Sequence, residues 1–257
     1  MPELVTVTYA GSVGRVTLNR PDRHNALNRP LASALDTALS EALANDAVRV
    51  VVLAGAGRTF CSGLDLASEG EAFRRSAGDE RAPYPSAVSR LLETSKPLVA
   101  AVQGGAFGAG FGLMSCCDVV VAVTDAEFAV SELRFGLPPT LIPLILSRRG
   151  VLGPARHLLL TGEVFGVPRA LSLGLVHRSA PAGELDAAVA AVCADLLAAS
   201  PEAFSTAKSI LRQIPTLPPA EALRYVSECL EAGLDSPEGR EGRAAWRERR
   251  KPRWQTP

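Results

Sequence analysis

A chain of 257 residues with 47% hydrophobic and 21% charged residues is long enough to bury a substantial core. Its 27 basic residues balance its 27 acidic ones, so net charge does not predict a nucleic acid, an anionic membrane surface or another polyanion as partner. The N-terminus lacks the layout of a signal peptide, and no apolar run reaches the roughly 18 residues of a membrane span, so we expect a cytoplasmic protein.

The chain is predicted to open with a hairpin and a helix. Val5–Ala10 and Val13–Leu18 alternate in polarity around Gly11-Ser12, which is typical of two antiparallel strands. The polar segment RPDRHNALN follows, and Asn28-Arg29-Pro30 then begins a helix whose apolar stripe is formed by leucines at 31, 35, 39 and 43.

The middle of the chain alternates buried strands with glycine-rich loops. The β-branched runs VRVVVLAG, KPLVAAVQG and DVVVAV predict buried strands, and EFAV predicts a short one. Residues 67–90 lack firm periodicity and are predicted to form a mobile flap, from which Glu69, Glu71 and Glu80 could reach a site.

From about residue 139 the pattern is helical. Ser200-Pro201-Glu202 and Ser236-Pro237-Glu238 each combine a capping serine, a proline at the first helical position and an acidic residue, which together predict a helix start. The basic end RAAWRERRKPRWQTP is interpreted as a solvated or subunit-packing segment, because no net basic field supports nucleic-acid binding. The whole order predicts an α/β core followed by a helical C-terminal region.

Several kinds of site are disfavoured by motif and spacing. Gly55 and Gly57 follow a strand, but the third glycine of a dinucleotide fingerprint is missing, and no phosphate-binding loop or nucleophile elbow occurs. The five cysteines form no C-x-x-C pair and have no histidine at ligand spacing, so we expect reduced thiols and no metal site. Nothing near Cys61 in the sequence would lower its pKa.

Two glycine-rich loops remain, each at the end of a buried strand. In GGAFGAGFGLMSCCD, residues 104–118, each glycine inside a helix lowers helix stability by roughly 1 kcal/mol relative to alanine. We therefore expect that another group comes very close to this backbone. Two backbone N–H groups that converge from such loops can hold a carbonyl oxygen as it becomes an enolate or a tetrahedral oxyanion.

Three blocks of the chain resemble the crotonase family, the enoyl-CoA hydratase/isomerase superfamily. They are TFCSGLDL at 59–66, VQGGAFGAGFGLMSCCDVVVA at 102–122 and EFAVSELRFGLPP at 127–139, and the likeness extends from LNRPDRHNALN to the C-terminus. The resemblance implies a crotonase-like spiral of ββα units over residues 1–195 and a helical region over residues 196–257 that serves trimer assembly. It implies a homotrimer or a dimer of trimers.

The resemblance also implies site residues. An acyl-CoA thioester would place its carbonyl between the backbone amides of Leu64 and Ala109, and no cofactor would be needed, since coenzyme A is part of the substrate. Glu132 matches a catalytic glutamate of the family. Substrate or CoA binding is implied for Arg23, Ala26, Ser62, Gly63, Asp65, Leu66, Gly108 and Gly112.

The chain departs from the familiar hydratases of the family at one position. Those enzymes use two glutamates, and the first would fall at Gly112. One carboxylate can still transfer a proton next to a thioester, which favours isomerisation, whereas GFGLMSCCD with SELRFGLPPTLIP resembles bacterial hydratases that act on branched CoA esters. We expect a bacterial enoyl-CoA hydratase of fatty acid metabolism, with a single-glutamate isomerase or a non-catalytic CoA-binding paralogue as alternatives.

Overall fold

Short β-branched strands build two sheets in the computed structural model, which describes residues 3–68 and 70–255. The larger sheet has six strands in the order β1-β2-β3-β5-β7-β10, where β1 and β2 pair antiparallel and the other neighbours pair parallel. These strands are β1 Val5–Ala10, β2 Val13–Leu18, β3 Val50–Gly55, β5 Leu98–Val102, β7 Val119–Val123 and β10 Arg178–Ala180.

A second sheet of four short strands carries the loops that form the site. Its order is β4-β6-β8-β9, with β4, β6 and β8 parallel and β9 antiparallel to β8. The strands are β4 Thr59–Cys61, β6 Gly105–Phe107, β8 Glu127–Ala129 and β9 Phe165–Gly166. The α/β prediction is confirmed, as are the opening hairpin and the buried strands.

Helices connect and cover the strands. The Asn28 side chain accepts a hydrogen bond from the Leu31 N–H and so caps α1, and Leu31 and Leu35 on its predicted apolar stripe are fully buried. The helices before residue 200 are α1 Arg29–Ala44, α2 Pro83–Glu93, α3 Ala109–Ser115, α4 Leu141–Arg148, α5 Leu152–Thr161, α6 Val167–Ser172 and α7 Leu185–Ala198.

Two sequence expectations need correction. The segment 67–90, predicted as a mobile flap without firm periodicity, is helical in its last third, because α2 begins at Pro83 and buries Tyr84, Ala87, Val88 and Leu91. That spacing of three, one and three residues places all four side chains on one helical face. The region after residue 139 is not wholly helical, because β9 and β10 complete the two sheets there.

Internal contacts divide the chain into two units. The first comprises Met1–Thr94 and Leu98–Cys193 and contains both sheets. The second comprises Ser95–Pro97 and Ala194–Pro257 and contains α8 Pro201–Gln213, α9 Pro219–Asp235 and α10 Pro237–Glu248. Ser200 and Ser236 cap α8 and α10 through their side chains, as their motifs predict.

No single helix among residues 3–68 and 70–255 is long and apolar enough to cross a membrane. Ala182–Ala198 and Pro201–Thr216 together have the length and apolar composition of a membrane span, but the chain bends sharply at the break between them.

Candidate active site

The parallel pairing of β4, β6 and β8 brings three loops to one edge of the smaller sheet. Cys61 pairs with Ala106, and Ala106 pairs with Phe128, so the strands end side by side. The residues after each strand end therefore meet at the same edge, as the carboxyl ends of parallel strands do. The three loops begin at Ser62, Gly108 and Val130.

A cavity of about 550 Å³ opens at this edge. Its walls are mainly apolar, and among the described lining residues only Glu132 and Arg74 carry a charge. Seven of the predicted site residues line it, and six of them are at the starts of the three loops: Ser62, Gly63, Leu64, Gly108, Ala109 and Glu132. Leu66, also predicted, lines it as well.

Gly63 brings the first loop against the second. It has φ +94°, and a Cβ at this position would lie 2.7 Å from the Phe107 carbonyl oxygen and 3.4 Å from the Ala109 nitrogen. An L side chain would therefore be strained in its backbone and would also collide with the second loop. Glycine at position 63 lets the two loops approach closely enough to share one wall of the cavity.

The Leu64 amide points away from the strand-like contact that its neighbours make. The Leu27 N–H donates to the Gly63 carbonyl, and the Leu27 carbonyl accepts from the Asp65 N–H. The Gly63 carbonyl and the Leu64 N–H belong to one trans peptide and point in opposite directions, so the N–H of Leu64 is turned away from Leu27. Ala109, the first residue of α3, has an N–H without an intrahelical acceptor.

Glu132 approaches the second loop from the third. Gly108, with φ +49°, donates its N–H to the Ala129 carbonyl at 2.9 Å, which holds the start of α3 next to the end of β8. A Cβ at Gly108 would lie 3.2 Å from Glu132 Oε1, so the carboxylate packs directly on this glycine. Glycine at position 108 thus leaves room for the carboxylate.

The Glu132 carboxylate lies in an apolar setting and is incompletely paired. Its Oε2 is buried and has no hydrogen-bond partner among the described residues. Desolvation by burial raises the pKa of Glu132, and a hydrogen bond from its own backbone N–H offsets part of that increase. A carboxylate with a raised pKa and an open acceptor is suited to general acid and base chemistry.

Four predicted site residues lie outside the lining of the cavity: Arg23, Ala26, Asp65 and Gly112. The Arg20 guanidinium donates to Asp65 Oδ2 at 2.6 Å and to the Ala26 carbonyl at 2.9 Å, so Asp65 and Ala26 are tied to one arginine beside the first loop. This hydrogen bond from Arg20 lowers the pKa of Asp65. Arg23 is exposed nearby, and CoA binding by these residues stays a prediction.

The glycines of residues 104–112 have more than one structural reason. A Cβ on Gly104 would collide with the Arg58 carbonyl, and one on Gly110 would collide with the Cys61 carbonyl. Gly104 and Gly110 therefore allow the second loop to pack closely against the first. The sequence predicts instead that glycines in this stretch make room for a thioester. Gly112 lies behind Tyr84 and outside the cavity lining, since a Cβ there would lie 2.7 Å from the Tyr84 hydroxyl oxygen.

Tyr84 is a lining residue that the sequence reasoning missed. It is 1% exposed, its hydroxyl donates to the Ala109 carbonyl at 2.8 Å, and its ring packs at a tilt against Phe73 with centroids 4.6 Å apart. The signal that could have found it is the apolar period at positions 84, 87, 88 and 91. Of the flap glutamates, Glu71 and Glu80 do not line the cavity, and Glu69 lies outside the described residues.

Cys61 is protected by its surroundings from acting as a nucleophile. Its thiol is buried and donates to the Asn25 carbonyl at 3.1 Å, and desolvation raises its pKa to about 12. Cys116, Cys117 and Cys193 are also buried, while Cys229 on α9 is partly exposed. Among the residues that the structure covers, no group of three His, Cys, Asp or Glu side chains is arranged to hold a metal ion.

Comparison with known proteins agrees with this fold. The family model described as enoyl-CoA hydratase/isomerase matches residues 8–257. The carnitinyl-CoA dehydratase of Escherichia coli (strain K12) is 31% identical over 263 residues, which is 99% of this chain and 99% of that protein.

Solved structures give the same result. An enoyl-CoA hydratase from Mycobacterium smegmatis superposes with a TM-score of 0.88 at 31% identity, covering 98% of this chain and 99% of that one. An enoyl-CoA hydratase from Shewanella pealeana has a TM-score of 0.88 at 30% identity, covering 98% and 96%. This chain therefore belongs to the enoyl-CoA hydratase/isomerase family, the crotonase-fold enzymes that act on acyl-CoA thioesters.

Proposed function

We propose that this chain is an enoyl-CoA hydratase, with Leu64 and Ala109 as the oxyanion hole and Glu132 as the acid and base. The observation that carries the proposal is the Glu132 carboxylate, which packs on Gly108 with an unpartnered Oε2. The adjoining Ala109 nitrogen lies against Gly63, the residue before Leu64. One basic oxygen and two backbone donors are then close to one another at the same cavity wall.

In this proposal a single carboxylate transfers the proton twice. Glu132 removes a proton from water as the water oxygen bonds to Cβ of the enoyl thioester, and the π electrons move to the thioester oxygen. The amides of Leu64 and Ala109 stabilise that enolate oxygen, and removal of one such donor typically costs about 10²–10³ in kcat. Protonated Glu132 then returns the proton to Cα, which restores both the carbonyl and the carboxylate.

The acyl group is proposed to be aliphatic. Phe73, Phe135, Leu137, Leu141 and Ile142 line the cavity and offer no hydrogen-bonding side chain to a polar tail. The predicted apolar run at 137–146 contributes to this wall from the segment before α4 and from its first turn. Transfer of each CH₂ of a substrate from water to such a surface contributes roughly 0.8 kcal/mol.

Isomerisation is the second candidate, and it is favoured by one observation. Glu132 supplies the only carboxylate among the described lining residues, and moving a double bond needs one base that removes a proton from Cα and returns it to Cγ. A CoA-binding protein without activity is the third.

Incubation with straight and branched enoyl-CoA thioesters in heavy water separates these functions. Mass spectrometry of the products should show addition of water together with one carbon-bound deuterium. Deuterium without added water would favour the isomerase. No product, combined with thermal stabilisation by CoA thioesters, would favour the binding protein.

The role of Glu132 is tested by Glu132→Gln, for which Glu127→Gln is the matched control. Glu127 is exposed on β8, five residues before Glu132, and does not line the cavity. We expect Glu132→Gln to lower kcat by at least about 10²-fold, in the range typical of a lost general base, and Glu127→Gln to leave it unchanged. Full turnover by Glu132→Gln would remove this residue from the mechanism.

Assembly into trimers is proposed for the second unit. Neither α8 nor α9 has a buried residue, and large apolar side chains on them are exposed, among them Leu211 at 71%, Leu223 at 67% and Leu230 at 65%. Exposed apolar surface of this extent on two neighbouring helices is typical of a subunit interface.

A further inference from the structure

We propose that Tyr84 is a positioning residue for the oxyanion hole, and that Gly112 is a glycine because the Tyr84 hydroxyl occupies the space where a side chain would begin. This inference rests on the proposed function of the same cavity. It gives the departure of Gly112 from the two-glutamate pattern a structural reason within this chain.

Tyr84 contacts the turn that carries Ala109. The hydroxyl donates its one proton to the Ala109 carbonyl at 2.8 Å, so it acts on the first turn of α3 from outside that helix. The Ala109 N–H is the donor assigned to the thioester oxygen. Fixing the carbonyl of a residue restricts the rotation of its backbone and with it the direction of its N–H.

Tyr84 itself is held rigidly by burial and by ring packing. Its side chain is 1% exposed, and its ring packs on Phe73 at 4.6 Å between centroids. Burial raises the pKa of Tyr84 well above its ordinary value, with nearby Cys116, Cys61 and Glu132 adding to that effect, so the hydroxyl keeps the proton that it donates. A neutral, immobile donor is suited to holding a backbone carbonyl in one place.

The Tyr84 hydroxyl leaves no room for a side chain at position 112. A Cβ on Gly112 would lie 2.7 Å from the Tyr84 hydroxyl oxygen, while its next contacts, Ile142 Cγ1 at 3.5 Å and Ile145 Cδ1 at 3.6 Å, are ordinary van der Waals distances. The hydroxyl is therefore the one close obstacle to a methyl group at this position among the described residues. The hydroxyl of Tyr84 and a glutamate at position 112 are mutually exclusive in this arrangement.

A double-mutant cycle tests the proposal, with Tyr84→Phe, Gly112→Ala and the double variant assayed on the enoyl-CoA that the wild type hydrates. We expect Tyr84→Phe to lower kcat by roughly 10-fold to 100-fold and to change KM by less than about 2-fold, because the oxyanion contact is stronger in the transition state than in the ground state. Gly112→Ala should lower kcat similarly, and the double variant should match Tyr84→Phe alone. Tyr9→Phe, an exposed tyrosine on β1, is the matched control with unchanged kinetics.

A spectroscopic readout separates positioning from general loss of structure. In the Glu132→Gln background, which should consume the ligand at least about 10²-fold more slowly, bound 2,4-hexadienoyl-CoA should absorb at longer wavelength than in solution, because hydrogen bonds to its carbonyl polarise the conjugated system. Adding Tyr84→Phe should reduce that shift while the thermal unfolding transition stays cooperative.

Two results would overturn the inference while the proposed function stands. One is an active wild type whose Tyr84→Phe variant keeps its kcat and its absorption shift, and the other is an equal loss from Gly112→Ala with and without the hydroxyl. If Tyr84→Phe does not fold, Gly112→Ala alone decides, since undiminished kcat there contradicts the proposal. A wild type that neither shifts the probe nor hydrates any enoyl-CoA would overturn the proposed function and this inference together.

Discussion

Replacing Gly63 by alanine should damage stability and turnover together, and its cost can be worked out from two features of the structure. Gly63 has φ +94°, a conformation that costs an L residue about 1–2 kcal/mol. The new Cβ would also lie 2.7 Å from the Phe107 carbonyl oxygen, an overpacking for which about 1–3 kcal/mol is typical. We therefore expect Gly63→Ala to lower the free energy of unfolding by about 2–5 kcal/mol.

Gly78→Ala separates the two contributions. Gly78 has φ +90°, close to that of Gly63, but a Cβ there would meet nothing within 4 Å. Gly78→Ala should therefore show only the backbone strain of about 1–2 kcal/mol. The difference between the two variants measures the collision of the first loop with the second.

Urea unfolding and steady-state kinetics on the same samples provide the measurement. The collision pushes the backbone at 107–109 away from Gly63 and moves the Ala109 N–H, so kcat of folded Gly63→Ala should fall by about 10-fold or more. Gly78→Ala should keep wild-type kcat. Equal losses of stability in the two variants, with normal turnover in both, would refute the reasoning that the loops are in steric contact at this point.

Three further results are expected. The folded-state pKa of Glu132 is raised, so its ionisation opposes folding as pH rises above its ordinary pKa of 4.5. Glu132→Gln should therefore have a higher Tm than wild type at pH 8 and the same Tm at pH 4. A lower Tm of the variant at pH 8 would contradict this. The pKa of Asp65 is lowered by its hydrogen bond from Arg20, so Asp65→Asn should lower the free energy of unfolding in urea by about 1 kcal/mol at pH 7. This difference in stability should vanish as pH falls below the ordinary pKa of 3.8. A difference that stays constant with pH would argue against the ion pair. Light scattering should find trimers or hexamers for the wild type and monomers for the double variant Leu223→Glu/Leu230→Glu. An unchanged molecular mass of the variant would place the subunit interface elsewhere.

Local signals in the sequence account for most of the predicted secondary structure. Asn28, Ser200 and Ser236 cap helices through bonds to residues three positions later, so the information lies within one turn. The β-branched runs of β3, β5 and β7 fit only strands that are buried on both faces, which is what the larger sheet requires of them. The three blocks that resemble the family contain the loop residues that meet at the cavity.

The contacts that the sequence did not predict are long-range or lack a strong local signal. The hydrogen bond from Tyr84 to Ala109 joins residues 25 positions apart, and α2 begins after Ala82, which provides no side-chain cap. β9 has two residues and depends on its pairing with β8, so no periodicity could reveal it. The packing of Gly110 against Cys61 likewise follows from sheet register, which composition does not encode.

The distribution of thiols has a practical consequence for fluorescence work. Four of the five cysteines are buried, and the pKa of Cys61 is raised to about 12, whereas Cys229 is partly exposed on α9. A maleimide dye added at neutral pH should therefore react at one position of the unassembled chain, Cys229, which is next to Leu230 in the proposed subunit interface. The rate of labelling would then report on whether the subunits are assembled, without engineering a cysteine-less background.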